Sequence, residues 1–419
     1  MIPTSTDVSI QVKDKTPANA DAVVVFATEG GGEEAARSAA LSREESAAVR
    51  RLFASGVARG RAKEVVFDVV ETGKRKFRRV IVAGLGKAEK VTTESVRQAA
   101  GAVTRALRKH RLTRVAVIPP GEGVLDPAVA ADAVVTGILL SAFDYQEYKG
   151  AAAKKKDEDP DAGDEPRALD VTIVAGDSRE VRGAVERARI VAEAQNFART
   201  IASRPGNDIN PPTLAKVAQQ VAREVGLAVR VLDERQMAKL GMGGILAVGA
   251  GSIATPPRMI VLEHRPKTGS RKTPNASPLL VVGKAITFDT GGISIKPAEK
   301  MGKMIFDKCG GMAVLGLMCA VARLKLPVHV VGILASAENH ISSQAYRPGD
   351  ILRMYNGVTV EVTNTDAEGR LVLGDALAWG IETYKPAAVV DLATLTGGCV
   401  VALGFTMAGV MSNSDTLVD

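Results

Sequence analysis

The first third of the chain alternates short apolar segments with longer amphipathic ones, and this alternation constrains the fold most. Residues 22–27 (AVVVFA), 79–83 (RVIVA) and 114–118 (RVAVI) are predicted to be buried strands. Residues 92–110 carry apolar side chains at helical spacing and basic residues in the last turn, and a further helix is predicted over 132–148. Strands that alternate with helices favour a mainly parallel sheet covered by helices, so we predict an α/β fold.

The length of 419 residues exceeds one ordinary hydrophobic core, so we expect two domains. Residues 151–166 (AAAKKKDEDPDAGDEP) are highly charged and contain two prolines, which predicts a loop or insertion. A strand at 169–175 leads into a long helix at 178–203, with Asp177 as its N-cap, and RPGNDINPP ends this helix. We place the domain boundary along the helix. The predicted parts are an N-terminal α/β domain at 1–165, a linker strand and connecting helix at 166–205, and a C-terminal domain at 206–419.

The pattern of strands and helices restarts after the long helix. We find no internal repeat of 20–50 residues. The predicted helices are 213–225 and 311–323, and the predicted strands are 228–232, 259–263, 279–282, 328–335 and 388–392.

Composition and charge exclude several classes of protein. The chain is 46% hydrophobic and 24% charged, as in soluble proteins, and we expect no membrane span and no secretory signal. Three cysteines argue against a disulfide framework and for a reducing compartment, so we expect a cytoplasmic protein. The net charge of +7 permits a nucleic-acid partner, but no nucleic-acid-binding motif accompanies the basic runs.

Three charged residues occupy alternate positions in the segment NTDAEGRLVLGDAL, residues 364–377. Asp366, Glu368 and Arg370 directly precede an apolar run. In an extended backbone such residues share one face, so we expect them to converge on one small volume.

A second segment, VGKAITFDTGGISIKP, places further charged residues after an apolar strand. We predict that the strand ends at Gly283 and that Lys284, Asp289 and Lys296 follow on a glycine-rich turn. Asp307 lies just ahead of a predicted helix. Ligands in open α/β sheets bind at the carboxyl ends of strands, so all these groups are expected to gather there.

The combination of four acidic and three basic residues indicates metal chemistry. Four adjacent carboxylates would repel one another unless cations neutralise them, and a pair of divalent metals about 3.5–4 Å apart does so while sharing a nucleophilic hydroxide. The amine of Lys284 ligates only when neutral, a form that a metal favours. Lys296 and Arg370, kept charged, would stabilise negative charge on a tetrahedral intermediate.

Each part of this pattern also has a purely structural interpretation. The alternating charges suit a solvated strand face, Asp307 suits a helix N-cap, and Lys284 suits an exposed strand end. The sequence contains neither H-E-x-x-H nor G-x-S-x-G, and the four histidines show no ligand spacing. On spacing alone, both interpretations stay open.

The two segments resemble the signatures of the leucyl aminopeptidase family, the cytosol aminopeptidases of the M17 type. The resemblance extends through VVDLATLTGG and RPGNDINPPTLA and weakens over residues 1–165. It implies a two-metal aminopeptidase that removes N-terminal residues, preferably leucine and other apolar ones, from peptides. It also implies a smaller N-terminal α/β domain, joined by a long helix to a mixed-sheet α/β catalytic domain, and hexamers.

The resemblance implies a role for each charged residue. Two divalent ions, Mn²⁺ or Zn²⁺, are expected: one bound by Lys284, Asp289, Asp307 and Glu368, the other by Asp289, Asp366 and Glu368. Lys296 would polarise the scissile carbonyl, and Arg370 would hold a bicarbonate ion that acts as general base. The residues that would contact substrate are Met304, Thr394, Leu395 and Gly397.

The chain departs from the family pattern at several positions outside the expected ligands. The departures are Thr290, Lys308, Gly374 and Asp391, of which Lys308 adds a charge beside the expected metals. Family members continue for several dozen residues past the position of Asp419, so we expect exposed apolar surface there. A DNA-binding or regulatory member and a catalytically impaired paralogue are the alternatives to an active enzyme.

Overall fold

The computed structural model describes residues 6–73, 76–121, 123–148, 168–176, 178–266 and 277–418. The predicted loop at 151–166 and the predicted cap Asp177 lie outside these residues. The chain divides into two compact units, Met1–Thr200 and Ile201–Asp419. The predicted domain boundaries at 165 and 205 stay a prediction.

The first unit contains a six-stranded sheet and helices α1 to α5, of which α5 runs across the division between the units. The strands are β1 (Val8–Lys13), β2 (Ala22–Ala27), β3 (Val65–Gly73), β4 (Lys76–Gly84), β5 (Arg114–Ile118) and β6 (Leu169–Val174). The helices are α1 (Gly32–Ala36), α2 (Arg43–Ala54), α3 (Thr93–Lys109), α4 (Pro127–Ser141) and α5 (Arg179–Ser203).

The first sheet has the order β1-β6-β5-β2-β4-β3 and is parallel except for the β3–β4 pair. The prediction of a mainly parallel sheet is therefore confirmed. Every residue of β2 is buried, which is why its sequence is a continuous apolar run. Strand β1, which the sequence analysis missed, alternates half-buried and exposed residues because it lies at an edge of the sheet.

Helix α4 starts five residues earlier than predicted. Asp126 is its N-cap, accepting hydrogen bonds from Ala128 N and Val129 N, and Pro127 occupies the first helical position. An aspartate N-cap followed by proline is a stronger signal for a helix start than Asp132, at which the predicted helix began. The helix ends at Ser141, seven residues before the predicted end.

A buried ion pair joins α2 to β4. Arg78 Nη1 lies 2.7 Å from Glu45 Oε1, and both side chains are buried. The remaining N–H groups of Arg78 donate to three backbone carbonyls, and Glu45 Oε2 accepts from Ser42 N in the capping box of α2. Because nearly every polar atom of the pair has a partner, removing one member would leave a buried charge without compensation.

We expect Arg78→Met to lower the free energy of unfolding by about 3–5 kcal/mol, because Glu45 would stay buried without its cation. Arg50→Met is the control, since the Arg50–Glu33 pair is exposed, and it should cost less than about 1 kcal/mol. Urea denaturation followed by far-ultraviolet circular dichroism measures both losses. Tryptophan fluorescence would not report on this unit, because the single tryptophan, Trp379, lies in the other one. Equal losses in the two variants would contradict a special role for the buried pair.

The second unit contains a five-stranded sheet, a short two-stranded ribbon and helices α6 to α11. The strands are β7 (Ala228–Leu232), β8 (Arg258–His264), β9 (Leu279–Asp289), β10 (Val330–Asn339), β11 (Ile351–Arg353), β12 (Thr359–Glu361) and β13 (Ala388–Leu392). The helices are α6 (Pro211–Val225), α7 (Glu234–Leu240), α8 (Gly243–Gly249), α9 (Cys309–Arg323), α10 (Glu368–Tyr384) and α11 (Gly397–Leu403).

The sheet of the second unit is mixed, with the order β13-β9-β10-β8-β7. Strands β13, β9 and β10 are parallel, whereas β8 is antiparallel to both β10 and β7. The predicted fold class, a mixed-sheet α/β unit after an N-terminal α/β unit, is confirmed. Two parallel strands end side by side at the carboxyl edge of β9 and β10, which is where the candidate site lies.

Strands β9 and β10 both extend further than the sequence predicted. The predicted end of β9 at Gly283 is wrong, because the strand continues to Asp289, and β10 continues past Ala335 to Asn339. Every residue of β10 is buried, including its polar last residues. Lys284 and Asp289 consequently lie on a central strand and not on a turn.

One segment among the described residues has the length and composition of a membrane span, contrary to our expectation. It is Met301–Arg323, with a mean hydropathy of 1.6, and 56% of its most apolar window is buried in the protein. Helix α9 within it packs against β9 and β10. This burial is typical of a core helix in a soluble protein.

Large apolar side chains are exposed near the end of the chain. Val401, Phe405 and Met411 are 89%, 95% and 96% exposed. The apolar surface expected there is therefore present.

Candidate metal centre

A bulge in β9 brings Lys284 and Asp289 to the same face of the sheet. Side chains alternate faces along a strand, so two residues five positions apart would normally point in opposite directions. Lys284 pairs with Ala335 and Asp289 with Asn339, and the register shifts just before Asn339, so β9 contains one extra residue. A one-residue shift exchanges the two faces, and Asp289 therefore lies on the face of Lys284.

The buried amine of Lys284 joins two carboxylates. Lys284 Nζ lies 2.7 Å from Glu368 Oε1 and 2.9 Å from Asp307 Oδ2, and it donates a hydrogen bond to Thr394 O at 2.9 Å. All three charged side chains are almost fully buried. Gly369 makes this possible, because a Cβ at that position would lie 2.9 Å from Lys284 Nζ.

The amine of Lys296 joins the other two carboxylates. Lys296 Nζ lies 2.9 Å from Asp289 Oδ2 and is also paired with Asp366 Oδ1. Asp289 is buried, whereas Asp366 and Lys296 are partly exposed. The structure thus brings together four predicted carboxylates and two predicted lysines at the carboxyl edge of the sheet.

The prediction that Asp366, Glu368 and Arg370 share a strand face is wrong. The Asn364 side chain accepts a hydrogen bond from Asp366 N and starts a 3₁₀ turn, Thr365–Ala367, which leads directly into α10. In helical backbone, residues two apart point in different directions. Asp366 and Glu368 nevertheless meet Asp289, and ligand oxygens of the three lie within 4.8 Å of one another. Arg370 is exposed, and it has no hydrogen bond or ion pair with the described residues.

Burial and mutual repulsion raise the pKa values of the carboxyl groups. Burial, with the neighbouring Asp289 and Asp307, raises the pKa of Glu368 to about 7 despite the nearby Lys284 ammonium. Burial likewise raises the pKa of Asp307. Burial disfavours the charged form of Lys284, but Glu368 and Asp307 outweigh that effect and raise its pKa. The cluster therefore holds more negative charge than its lysines neutralise.

A divalent cation fits this donor set. Glu368 Oε2 is buried and has no hydrogen-bond partner among the described residues. Asp289 and Asp366 place carboxylate oxygens within 4.8 Å of those of Glu368. Clustered carboxylates, with a lysine amine beside them, form an oxygen-rich site that suits metals such as Mn²⁺.

Asp307 is not a helix N-cap, because it lies one residue too early. It belongs to the 3₁₀ segment Met301–Lys308, and α9 begins at Cys309 with Lys308 in the cap position. Asp307 Oδ1 accepts a hydrogen bond of 2.8 Å from Thr394 Oγ1. Thr394 thus holds both Asp307 and, through its carbonyl, Lys284.

The other residues expected to contact substrate lie on the same segments. Leu395 is 45% exposed, and its Cδ1 lies beside Gly369. Met304 is half-buried in the 3₁₀ segment before α9, and Gly397 begins α11. Their contact with substrate stays a prediction.

Two buried polar residues beside the carboxylates, Asn339 and Thr365, were not predicted from the sequence. Asn339 donates to Asp289, and Thr365 exchanges hydrogen bonds with Ser294. One sequence signal could have indicated Asn339. The pair Glu338-Asn339 directly follows an apolar run, so it forms a polar strand end like that of Asp289 on β9.

Lys308 is fully buried, and backbone carbonyls hold its amine. Nζ donates to Arg204 O at 2.9 Å and to Ile305 O. Burial lowers the pKa of Lys308 to about 8. With a pKa of about 8 the amine is still mostly protonated at pH 7, so the charge added by Lys308 largely remains.

We expect Lys308→Met to stabilise the chain in a pH-dependent way. The folded-state pKa of Lys308, about 8, lies below the ordinary 10.5, so burying the ammonium costs most below pH 8 and nothing above 10.5. The stability of the variant relative to wild type should fall by about 3 kcal/mol as pH rises from 7 to 10.5. Urea denaturation in chelator measures this, with exposed Lys303→Met as control. A difference that does not change with pH would contradict it.

Two family models match the chain. The catalytic domain of the cytosol aminopeptidase family (Peptidase M17) matches residues 196–419, and the N-terminal domain of that family matches residues 23–151. The candidate centre lies wholly within the first of these matches.

Curated relatives and solved structures agree with the family models. A probable cytosol aminopeptidase of Cenarchaeum symbiosum (strain A) is 45% identical over 80% of this chain and 65% of its own length. Another, of Solibacter usitatus (strain Ellin6076), is 41% identical over 98% of this chain and 79% of its own. The bottromycin maturation enzyme BotP in complex with Mn superposes with a TM-score of 0.74 at 31% identity, over 92% of this chain and 74% of that one.

These matches cover between about two thirds and four fifths of the relatives' own lengths. The chain belongs to the cytosol aminopeptidase family, peptidase M17.

Proposed function

We propose that the chain is a metal-dependent aminopeptidase that removes N-terminal residues, preferably leucine and other apolar ones, from peptides. The observation that carries this proposal is the partly buried group of four carboxylates that share two lysine amines at the carboxyl edge of β9 and β10. Family membership supports a peptidase hydrolase. The preference for leucine, the number of metals and the residue roles are our proposal.

Two divalent ions, Mn²⁺ or Zn²⁺, would occupy the carboxylate cluster. Lys284, Asp289, Asp307 and Glu368 would hold one ion, and Asp289, Asp366 and Glu368 the other, so that Asp289 and Glu368 bridge. The bound ions would act as Lewis acids toward the scissile carbonyl and would lower the pKa of water. The unpartnered Glu368 Oε2 and the raised pKa of Glu368 support this assignment.

Lys296 would stabilise the negative charge that develops on the carbonyl oxygen of the scissile bond. Burial disfavours its charged form, but Asp366 and Asp289 outweigh burial and raise its pKa, so the ammonium persists at neutral pH. Its side chain is 20% exposed, which leaves it accessible from the open side of the cluster. A fixed cation in a partly dry site stabilises developing charge more strongly than one in water.

The substrate's free amine is the feature that the acidic cluster would recognise, which restricts cleavage to the N-terminus. Leu395 and Met304 would provide apolar contact to the first side chain, and Thr394 and Gly397 would lie along the substrate backbone. Arg370, which is exposed, would hold a bicarbonate ion that acts as general base. A small anion reaches such an exposed guanidinium readily.

We further propose that the protein is cytoplasmic and forms a homo-oligomer, a hexamer as the resemblance implies, with peptides as its substrates and no membrane partner. A DNA-binding role and an impaired paralogue are not favoured. The cluster contains every carboxylate and lysine to which we assign a role, and an idle group of charges of this kind would be costly to keep partly buried.

Hydrolysis of leucine p-nitroanilide tests this proposal. Activity should be lost after chelation and return when Mn²⁺ or Zn²⁺ is restored. Asp289→Ala should abolish activity because it removes a proposed bridging ligand. Lys296→Ala should lower kcat about 10²–10³-fold, the usual effect of removing one group that stabilises the transition state.

Lys303→Ala is the matched control, because Lys303 is an exposed lysine of the neighbouring 3₁₀ segment and should leave activity unchanged. Activity that survives exhaustive chelation, or that Lys296→Ala leaves intact, would contradict the proposal. Comparison of leucine with glutamate and glycine anilides tests the apolar preference separately.

A further inference from the structure

We infer that Asn339 is a positioning residue of the metal centre, which orients the Asp289 carboxylate and fixes its distance from the segment that carries Asp366. This inference rests on the proposed function. It concerns a residue that none of the roles above involves.

The strand register places Asn339 directly beside Asp289. The two residues end neighbouring parallel strands and are paired across the bulge in β9. Asn339 is fully buried, so its side chain must find partners within the protein. The bulge that turns Asp289 toward Lys284 thus also turns it toward Asn339.

The hydrogen bonds determine which way the Asn339 amide points. Nδ2 donates to Asp289 Oδ1 at 2.9 Å and to Thr365 O at 3.0 Å. Rotating the amide by 180° would set its oxygen against a carboxylate oxygen and a carbonyl oxygen, and neither is a donor. Among the side chains of this size, only a primary amide supplies two N–H donors without a charge.

The two carboxylate oxygens of Asp289 have different partners, and the hydrogen bond from Asn339 contributes to this difference. Oδ1 accepts from both Asn339 Nδ2 and Gly291 N, each at 2.9 Å. Oδ2 is therefore left to face Lys296. A ligand with one oxygen held by two N–H groups has a fixed orientation, which is what outer hydrogen-bond partners provide in metal sites.

The second bond ties Asn339 to the other ligand-bearing segment. Thr365 O accepts from Asn339 and from Tyr346 Oη, the latter at 2.7 Å, and the next residue in the chain is Asp366. Thr365 Oγ1 donates to Gly291 O at 2.6 Å, which closes a ring of bonds back to the strand end. One amide thus spans the two segments from which Asp289 and Asp366 project.

The oxygen of the same amide shows that this arrangement costs stability. Asn339 Oδ1 is buried and has no hydrogen-bond partner among the described residues. It faces Gly292, where a Cβ would lie 2.9 Å from Oδ1 and where φ is +68°. An unpartnered buried carbonyl is unfavourable, so the contribution of Asn339 lies in what its Nδ2 holds.

The test compares Asn339→Ala with Asn196→Ala. Asn196 is a matched control, because it is also fully buried and its Nδ2 donates to a backbone carbonyl, Leu139 O, in the first unit. The Kd of Mn²⁺ is measured on metal-stripped protein from the free-ion electron paramagnetic resonance signal, and Tm is measured on the same samples. We expect Asn339→Ala to weaken Mn²⁺ binding about 10–100-fold and Asn196→Ala to leave it unchanged.

A second readout separates positioning from a direct contact with substrate. At saturating Mn²⁺, Asn339→Ala should retain the wild-type KM for leucine p-nitroanilide and lose kcat, because the ligand is misaligned and the substrate pocket is intact. Asn339→Leu keeps the volume of the side chain while removing both donors, and it should reproduce the weaker Mn²⁺ binding if the alanine variant does not fold.

Three outcomes would overturn the inference. They are wild-type Mn²⁺ affinity in Asn339→Ala, equal loss of affinity in Asn196→Ala, and failure of both Asn339 variants to fold while Asn196→Ala folds. Failure of the wild-type chain to bind either Mn²⁺ or Zn²⁺ would instead refute the proposed function.

Discussion

The repulsion among four carboxylates in a partly buried site is the constraint on which the catalytic unit depends. Two lysine amines face them, so two negative charges remain in excess when all six groups are ionised. Burial makes this excess expensive, and the pKa of Glu368 rises to about 7 as a result. A divalent cation relieves the repulsion at once. The proposed chemistry of the site and its proposed affinity for metal would therefore have one electrostatic cause.

The fold supports this concentration of charge by ending several segments at one edge. Strand β9 delivers Lys284 and Asp289 to one face through its bulge, and the 3₁₀ turn before α10 delivers Asp366 and Glu368. Asp307 comes from the segment before α9. Since each strand ends and each helix begins at the centre, their polar residues reach the cluster while their apolar residues fill the core.

The sequence predicts the identity of the charged groups better than the backbone that carries them. Buried strands such as β2 and β5 are correct to the residue, because continuous apolar runs have no other stable position. The end of β9 was predicted at Gly283, six residues too early, because charged residues such as Lys284 and Asp289 normally lie on exposed turns. Only the structure shows the partners that allow them to be buried on the strand. The alternation of Asp366, Glu368 and Arg370 suggested a strand, yet the backbone is helical and tertiary contacts decide which groups meet. Asn339 was not predicted, because the polar strand end Glu338-Asn339 does not by itself indicate that the amide meets Asp289.

Anomalous diffraction at the manganese edge, on crystals of this chain grown with saturating Mn²⁺, tests whether the carboxylate cluster binds metal. We predict anomalous peaks among the carboxylates of Asp289, Asp366 and Glu368, with Asn339 Nδ2 still bonded to Asp289. Density only elsewhere on the protein, with Lys296 still paired to Asp289 and Asp366, would contradict it.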